Sequence, residues 1–105
     1  PLTITGDGGQ TRDFTHVRDV VQANIAAMEA SRVGKGEVVN IGGGKNKSVN
    51  DIAAMIGGPT IHIPPRLEPH DTLADISRAK KLLGWEPRVS FEDGIRELKQ
   101  LHGLS

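Results

Sequence analysis

Cysteine and tyrosine are absent from this 105-residue sequence, tryptophan occurs once and phenylalanine twice. Without cysteine there is no disulfide, thiol nucleophile or cysteine-based zinc site. That composition suits a reducing compartment, so the expected location is cytoplasmic. An excess of one charge is also lacking: 13 Lys and Arg balance 13 Asp and Glu. No global field therefore draws the chain to nucleic acid or anionic lipid, and any anion binding must be local. No apolar run approaches the roughly 20 residues of a membrane span, and no basic-then-apolar leader follows Pro1. A membrane or nucleic-acid partner is not expected, and an opening on Pro1 rather than methionine marks a processed or incomplete chain. The length suits one domain, residues 1–105, burying roughly 65% of its unfolded surface. Few aromatics and 13 glycines supply that core thinly, which predicts marginal stability and a missing partner surface.

What is present reads as α/β. Leu2-Thr3-Ile4-Thr5 alternates and runs into the turn Gly6-Asp7-Gly8-Gly9, with Gln10 to Thr15 as a return strand. Val17, Val20, Val21, Ile25 and Met28 recur at helical spacing, with Arg18, Asp19, Gln22 and Glu29 opposite. Gly34 and Gly36 are expected to close that helix, and Glu37 to Ile41 is an apolar run of strand length, read as a largely buried strand of a parallel sheet. Ser48 with Asp51 forms a capping box for a helix ending at Gly57-Gly58. Thr60 to Ile63 is a short strand stopped by Pro64-Pro65, and Arg66 to Leu73 a polar loop. Asp75 opens a helix that stops at Gly84, and Ser90 with Asp93 opens a last one bearing Phe91, Ile95, Leu98 and Leu101. Trp85 is expected to anchor the last two helices. The count is four helices and three or four short strands. Nothing else in the chain supplies neighbours for the 37–41 strand, so part of a sheet is missing.

The sharpest segment for chemistry is Gly6 to Val21. Its glycines let a ligand approach the backbone, and the planar fork of Arg12 suits a phosphate. The competing physical reading is a hairpin with a surface contact between Arg12 and Asp13. The segment resembles a motif of the NAD-dependent extended short-chain dehydrogenase/reductase family, which includes nucleotide-sugar epimerases and dehydratases. The likeness continues in order through Glu37-Val38-Val39-Asn40-Ile41-Gly42, the helix from Ser48 to Ile56, Leu73 to Pro87 and Phe91-Glu92-Asp93-Gly94-Ile95. It implies the C-terminal, substrate-binding portion of a Rossmann-type enzyme without its N-terminal cofactor unit, and most closely a UDP-glucose or UDP-galactose 4-epimerase. By the same resemblance Leu2, Thr3 and Thr5 flank the base, Arg12 and Arg66 grip the phosphates and ribose side, and Glu68 or Asp71 accepts from a ribose hydroxyl. The expected ligand is a UDP-hexose.

The sequence also departs from the family pattern. Arg66 lies nine residues before Asp75 rather than ten, and Leu67-Glu68-Pro69 replaces the usual glycine and acid. The family's cofactor fingerprint is incomplete at Gly6-Asp7-Gly8 and at Gly42-Gly43-Gly44. Its general acid/base is a tyrosine with a lysine four residues later, and the chain has no tyrosine. The resemblance thus implies that NAD oxidises a sugar hydroxyl in the complete enzyme, while this chain alone binds no cofactor and carries no catalytic residue. Gly42 to Ser48 remains only a weak anion site at a helix N-terminus. His16, His62, His70 and His102 lack metal-ligand spacing and are read as surface or packing residues. Two alternatives are a free-standing nucleotide-sugar module and an interaction piece that self-associates, or takes up a missing Rossmann domain, through exposed strand edges.

Overall fold

In the computed structural model, which describes residues 1–104, eight short elements follow the chain. They are β1 (Leu2–Thr5), β2 (Thr11–Arg12), α1 (Val17–Glu29), β3 (Lys47–Ser48), α2 (Val49–Ile56), β4 (Thr60–Ile63), α3 (Ser77–Leu83) and α4 (Phe91–Leu101). The α/β expectation holds, with four helices and four strands. The strands form two separate pairs rather than one sheet.

β1 pairs in parallel with β4, Leu2 opposite Thr60 and Thr5 opposite Ile63. The expected return strand after β1 is therefore not its partner. Residues 11 and 12 instead pair antiparallel with β3, and on the other side Thr11 bridges Asp71. The Thr11 N–H donates to the His70 carbonyl at 2.8 Å, and the Thr72 N–H donates to the Thr11 carbonyl at 3.1 Å. The physical reason lies in the turn. Gly6 and Gly8 take positive φ, and Asn50 docks on it through its N–H to Gly8 O and its side-chain amide to Asp7 O. That docking swings the chain toward α2, and glycine is required at Gly8 because a Cβ there would collide with Asn50 Oδ1.

α2 keeps the expected caps: Ser48 and Asp51 exchange both hydrogen bonds of the box, and Gly57 ends the helix. α2 lies over β1, where Ile4 and Ala53 are buried. α3 ends on Gly84 in the left-handed conformation, and Asp75 Oδ1 accepts from both the N–H and the hydroxyl of Ser77. These bonds hold the Asp75 carboxyl below its usual range. α4 is capped by Ser90, whose hydroxyl accepts the Asp93 N–H at 3.1 Å. α1 ends at Ala30, before the glycines expected to close it.

The main core joins α1 and α3: Ala23, Ile76, Ala79 and Trp85 form its buried centre. Trp85 therefore binds α1 to α3 rather than α3 to α4. Its indole N–H reaches back to donate to the Asp19 carbonyl at 3.1 Å. The covered face of α1 is the reverse of the expected one. Asp19 is 4% exposed, whereas Val17 and Met28 are 71% and 80% exposed. Asp19 is drawn inward because its carboxylate accepts the Arg88 N–H at 3.0 Å and the Val89 N–H at 3.1 Å. At about 100° per residue the stripe Val17, Val20, Val21, Ile25, Met28 points opposite to Asp19, Ala23 and Ala26.

Residues 37–41 are assigned no strand. The expectation of a largely buried strand is not met: Val39 and Ile41 pack on the core, but Glu37, Val38 and Asn40 are exposed, Val38 by 74%. With no adjacent strand among the described residues, the ladder that would make this run a strand is not formed. The molecule is a slab of 49 × 33 × 15 Å with a radius of gyration of 16.3 Å. A compact domain of this length has a radius near ~13 Å, so the slab carries too little depth to bury its own apolar residues.

Candidate functional site

Parallel pairing brings the ends of β1 and β4 together, and the 66–73 loop folds back over them. Between them opens a cleft of about 730 Å³, whose lining includes Thr5, Gln10, His62, Arg66, Glu68 and His70. The Gln10 side-chain amide closes its floor by donating to the Thr5 carbonyl at 2.9 Å. Three of the expected site residues, Thr5, Arg66 and Glu68, thus share one concavity.

Arg12 stands at its edge, placed there by β2. One terminal nitrogen donates to the Thr11 carbonyl at 2.6 Å and the His70 carbonyl at 3.1 Å, while the other lies 3.5 Å from Glu68. The surface contact between Arg12 and Asp13 is not formed; Glu68 is the arginine's acid. Arg12 and Glu68 are only partly covered, so the guanidinium is held in place yet accessible to an anion that displaces Glu68. Asp71 is tied into the same strip. Its Oδ1 accepts from the Thr11 hydroxyl at 2.7 Å and lies 3.0 Å from His70 Nδ1. The Thr11 hydrogen bond holds the Asp71 carboxyl below its usual range, and Asp71 in turn raises the His70 imidazole above its own. Leu2 and Thr3 lie at the start of β1, away from the cleft lining; Leu2 is half-buried and Thr3 exposed.

Two carboxylates that the sequence reading passed over organise the surroundings. Asp13 accepts from the N–H groups of Gly43 at 2.6 Å, Gly44 at 3.1 Å and Ala74 at 3.1 Å. The glycine run expected as an anion site is therefore filled by the chain's own anion. Glycine is required there for close approach: a Cβ at Gly42 would stand 2.6 Å from Ala74 Cβ and 2.7 Å from Asp13 Oδ2. Asp19 plays the corresponding part for residues 88 and 89. Both aspartates sit in the Arg12-Asp13 to Arg18-Asp19 motif, so the signal for them was present as pattern without a visible partner.

An NAD pyrophosphate needs a glycine turn with N–H groups free to receive it. Here Gly43 and Gly44 donate to Asp13, and Gly9 donates to Asp7 at 2.8 Å. These residues do not fit that group. The histidines divide by role. His16 caps α1, its Nδ1 accepting the Arg18 N–H at 2.9 Å, while His62 and His70 both line the cleft. Among the described residues no three His, Asp or Glu side chains are grouped to hold a metal, and no helix is long and apolar enough to cross a membrane.

Residues 1–98 match the family model described as GDP-mannose 4,6 dehydratase. An uncharacterized UDP-glucose epimerase of Bacillus subtilis is 41% identical over 99% of this chain and 35% of its own length. The UDP-glucuronate 4-epimerase of Thermodesulfobacterium geofontis is 40% identical over 91% of this chain and 31% of its own. Among solved structures, the UDP-glucuronic acid 4-epimerase of Bacillus cereus, in complex with UDP-glucuronic acid and NAD, superposes with a TM-score of 0.86. That match has 41% identity and covers 96% of this chain and 36% of the other. The chain thus spans about a third of the length of the relatives it matches.

Proposed function

The chain belongs to the GDP-mannose 4,6 dehydratase family of NAD-dependent extended short-chain dehydrogenase/reductases, and we propose that it is the nucleotide-sugar-holding portion of a UDP-hexose 4-epimerase. The observation that carries this reading is the cleft at the ends of β1 and β4, where Thr5, Arg66 and Glu68 face one another beside Arg12. Arg12 and Arg66 take the diphosphate, and Glu68 or Asp71 accepts from a ribose hydroxyl. Leu2, Thr3 and Thr5 flank the base through backbone. NAD supplies hydride transfer in the complete enzyme. Residues 1–105 work as one domain whose part is to fix the handle of the substrate, because binding energy from a remote group orients the reacting sugar.

The bare face of α1 supports a second component of the same reading. Five large apolar residues left exposed on one side of a 13-residue helix suit a covering layer. The doubly wound cofactor unit implied by the family is that layer, and its portion of the relatives' length lies outside the matched third.

Calorimetric titration of the chain with UDP, UDP-glucose and NAD tests the reading. Heat with both uridine compounds and none with NAD is expected; no heat with either uridine compound overturns it.

A further inference from the structure

Three ionisable side chains of the nucleotide cleft, Asp7, His62 and His70, are assigned by neither the family likeness nor the reading above, and of the three it is His70 whose carbonyl accepts from Arg12. Its ring is oriented by a chain of contacts running back to β2. Asn46 donates to the Thr11 hydroxyl at 3.2 Å, that hydroxyl donates to Asp71 Oδ1 at 2.7 Å, and Asp71 Oδ1 lies 3.0 Å from His70 Nδ1. The main chain of residue 70 is fixed as well, since its carbonyl accepts from the Thr11 N–H and from Arg12. A carboxylate oxygen only accepts, so Nδ1 carries a proton whether the ring is neutral or charged. The titrating nitrogen is then Nε2, which has no hydrogen-bond partner among the described residues. In the neutral ring Nε2 presents a lone pair and repels a phosphate oxygen; once protonated it becomes a donor and the ring a cation.

We propose that His70 is a third cationic contact of the cleft, donating from Nε2 to the diphosphate of a nucleotide sugar only in its protonated form, with Asp71 as its positioning residue. The inference rests on the reading of the cleft as a nucleotide-sugar site. The charged groups facing the ring come from three segments. Asp71 on its own loop and Asp7 in the turn after β1 favour the cation, whereas Arg12 on β2 opposes it. Arg66 and Glu68 share the cleft, and Glu68 faces Arg12. The hydrogen bond that His70 donates to Asp71 outweighs the opposing Arg12, so the imidazolium persists above the ordinary histidine range. His62 is the other imidazole of the cleft, but its Nδ1 lies 2.8 Å from the Gly6 carbonyl, at the far wall formed by β4. An incoming diphosphate stabilises the imidazolium of His70 further, so affinity is greatest below the free histidine pKa of about 6.5 and declines as pH rises through the raised value.

The test is calorimetric titration of the full chain with UDP-glucose between about pH 5.5 and about pH 8.5. UDP-glucose is the probe because its phosphates are diesters of constant charge, whereas the terminal phosphate of UDP itself ionises near pH 6. Wild type is expected to lose roughly fivefold in affinity across that range, the size of one exposed ion pair. His70→Gln is expected to bind at the high-pH level throughout. A variant that keeps the wild-type pH dependence overturns the proposal while leaving the cleft reading intact; absence of binding at every pH overturns both. Proton NMR of the His70 ring supplies an independent readout, expected to show its midpoint moving upward on saturation with UDP-glucose. An unmoved midpoint sinks the contact. Asp71→Asn should shift the midpoint of the free protein downward, which a purely structural Asp71 would not do.

Discussion

Replacing Asp19 by alanine is the severest single test of this architecture. The residue is 4% exposed, and its carboxylate accepts two backbone N–H groups at 3.0 and 3.1 Å. A hydrogen bond to a charged acceptor contributes about 1.5–3 kcal/mol, and a carboxylate in the first turn of a helix gains about 0.3–1 kcal/mol from the helix dipole. Against this, an alanine variant avoids the several kcal/mol spent in burying the ion. Stripping a buried acceptor from its donors leaves Arg88 N–H and Val89 N–H without partners, so the net loss is about 3 kcal/mol, near the lower bound for breaking buried pairs. For a domain of this size each kcal/mol moves the midpoint by about 4–8 °C, which gives a fall of roughly 12–24 °C. Asp19→Asn keeps one acceptor oxygen and should lose about half as much. Thermal melts followed by far-UV circular dichroism supply the comparison. Fluorescence of Trp85, the only tryptophan, reports in parallel whether the α1 to α3 contact has opened. A melting point of Asp19→Ala within a few degrees of wild type would refute the assignment of Asp19 as the tie between α1 and residues 88–89.

Three further expectations follow from the same contacts. Gly42→Ala forces a methyl group against Ala74 and the held Asp13 carboxylate, costing about 1–3 kcal/mol; a urea midpoint equal to wild type would contradict that crowding. Arg12→Ala should leave the melting point nearly unchanged while weakening UDP-glucose binding by about 1.5 kcal/mol, the low end for a charge-assisted bond at a partly exposed group. Equal affinities of variant and wild type in calorimetry would remove Arg12 from the site. Val21→Ser with Met28→Ser alters only the outer face of α1. Stability in urea should stay within about 0.5 kcal/mol of wild type; a large loss of stability would mean that this face is covered within the chain.

Local signals reached the structure wherever the determining partner was near in sequence. The Ser48–Asp51 box, the Gly84 stop, the Ser90 cap and the strand ending at Pro64 each depend on residues within a few positions. Long-range partners were not legible. That β1 pairs with β4 rather than with residues 10–15 depends on Asn50 docking on the Gly6–Gly9 turn, 43 residues away for its bond to Asp7. The apolar run of residues 37–41 reads as a largely buried strand and forms none, because a strand exists only through a neighbour and none is supplied among the described residues. α1 misled for a definite reason. Its larger apolar stripe was the stronger periodic signal, yet the chain's own core takes the small Ala23 face because Asp19 finds its donors there. Of the candidate site, Arg12 was suggested by its residue type and by the family resemblance, and Thr5, Arg66, Glu68 and Asp71 by the resemblance alone. The assembly of Asp71 with Thr11 was not, since β2 meets the 70–72 segment only in three dimensions.

The two aspartates change what the motif around Arg12 signifies. A motif so rich in charge invites a reading in which each charged residue meets a ligand. Here Asp13 and Asp19 spend their oxygens on five backbone N–H groups of residues 43, 44, 74, 88 and 89. Arg12 is left partly exposed at the edge of the cleft, and Arg18 pairs with Glu97 on the surface. Asp13 adjoins Arg12 in sequence and grips Ala74, where the loop carrying Arg66, Glu68 and His70 ends. One carboxylate therefore ties the strand end beside Arg12 to the end of the loop that carries Arg66, the fixed spacing that the proposed diphosphate contact requires. A ligand-binding loop outside regular secondary structure would otherwise incur an ordering cost of about 1–2 kcal/mol per residue at binding. In the proposed site the internal anion at the glycine turn, by holding residues 43, 44 and 74 to Asp13, removes part of that cost in advance.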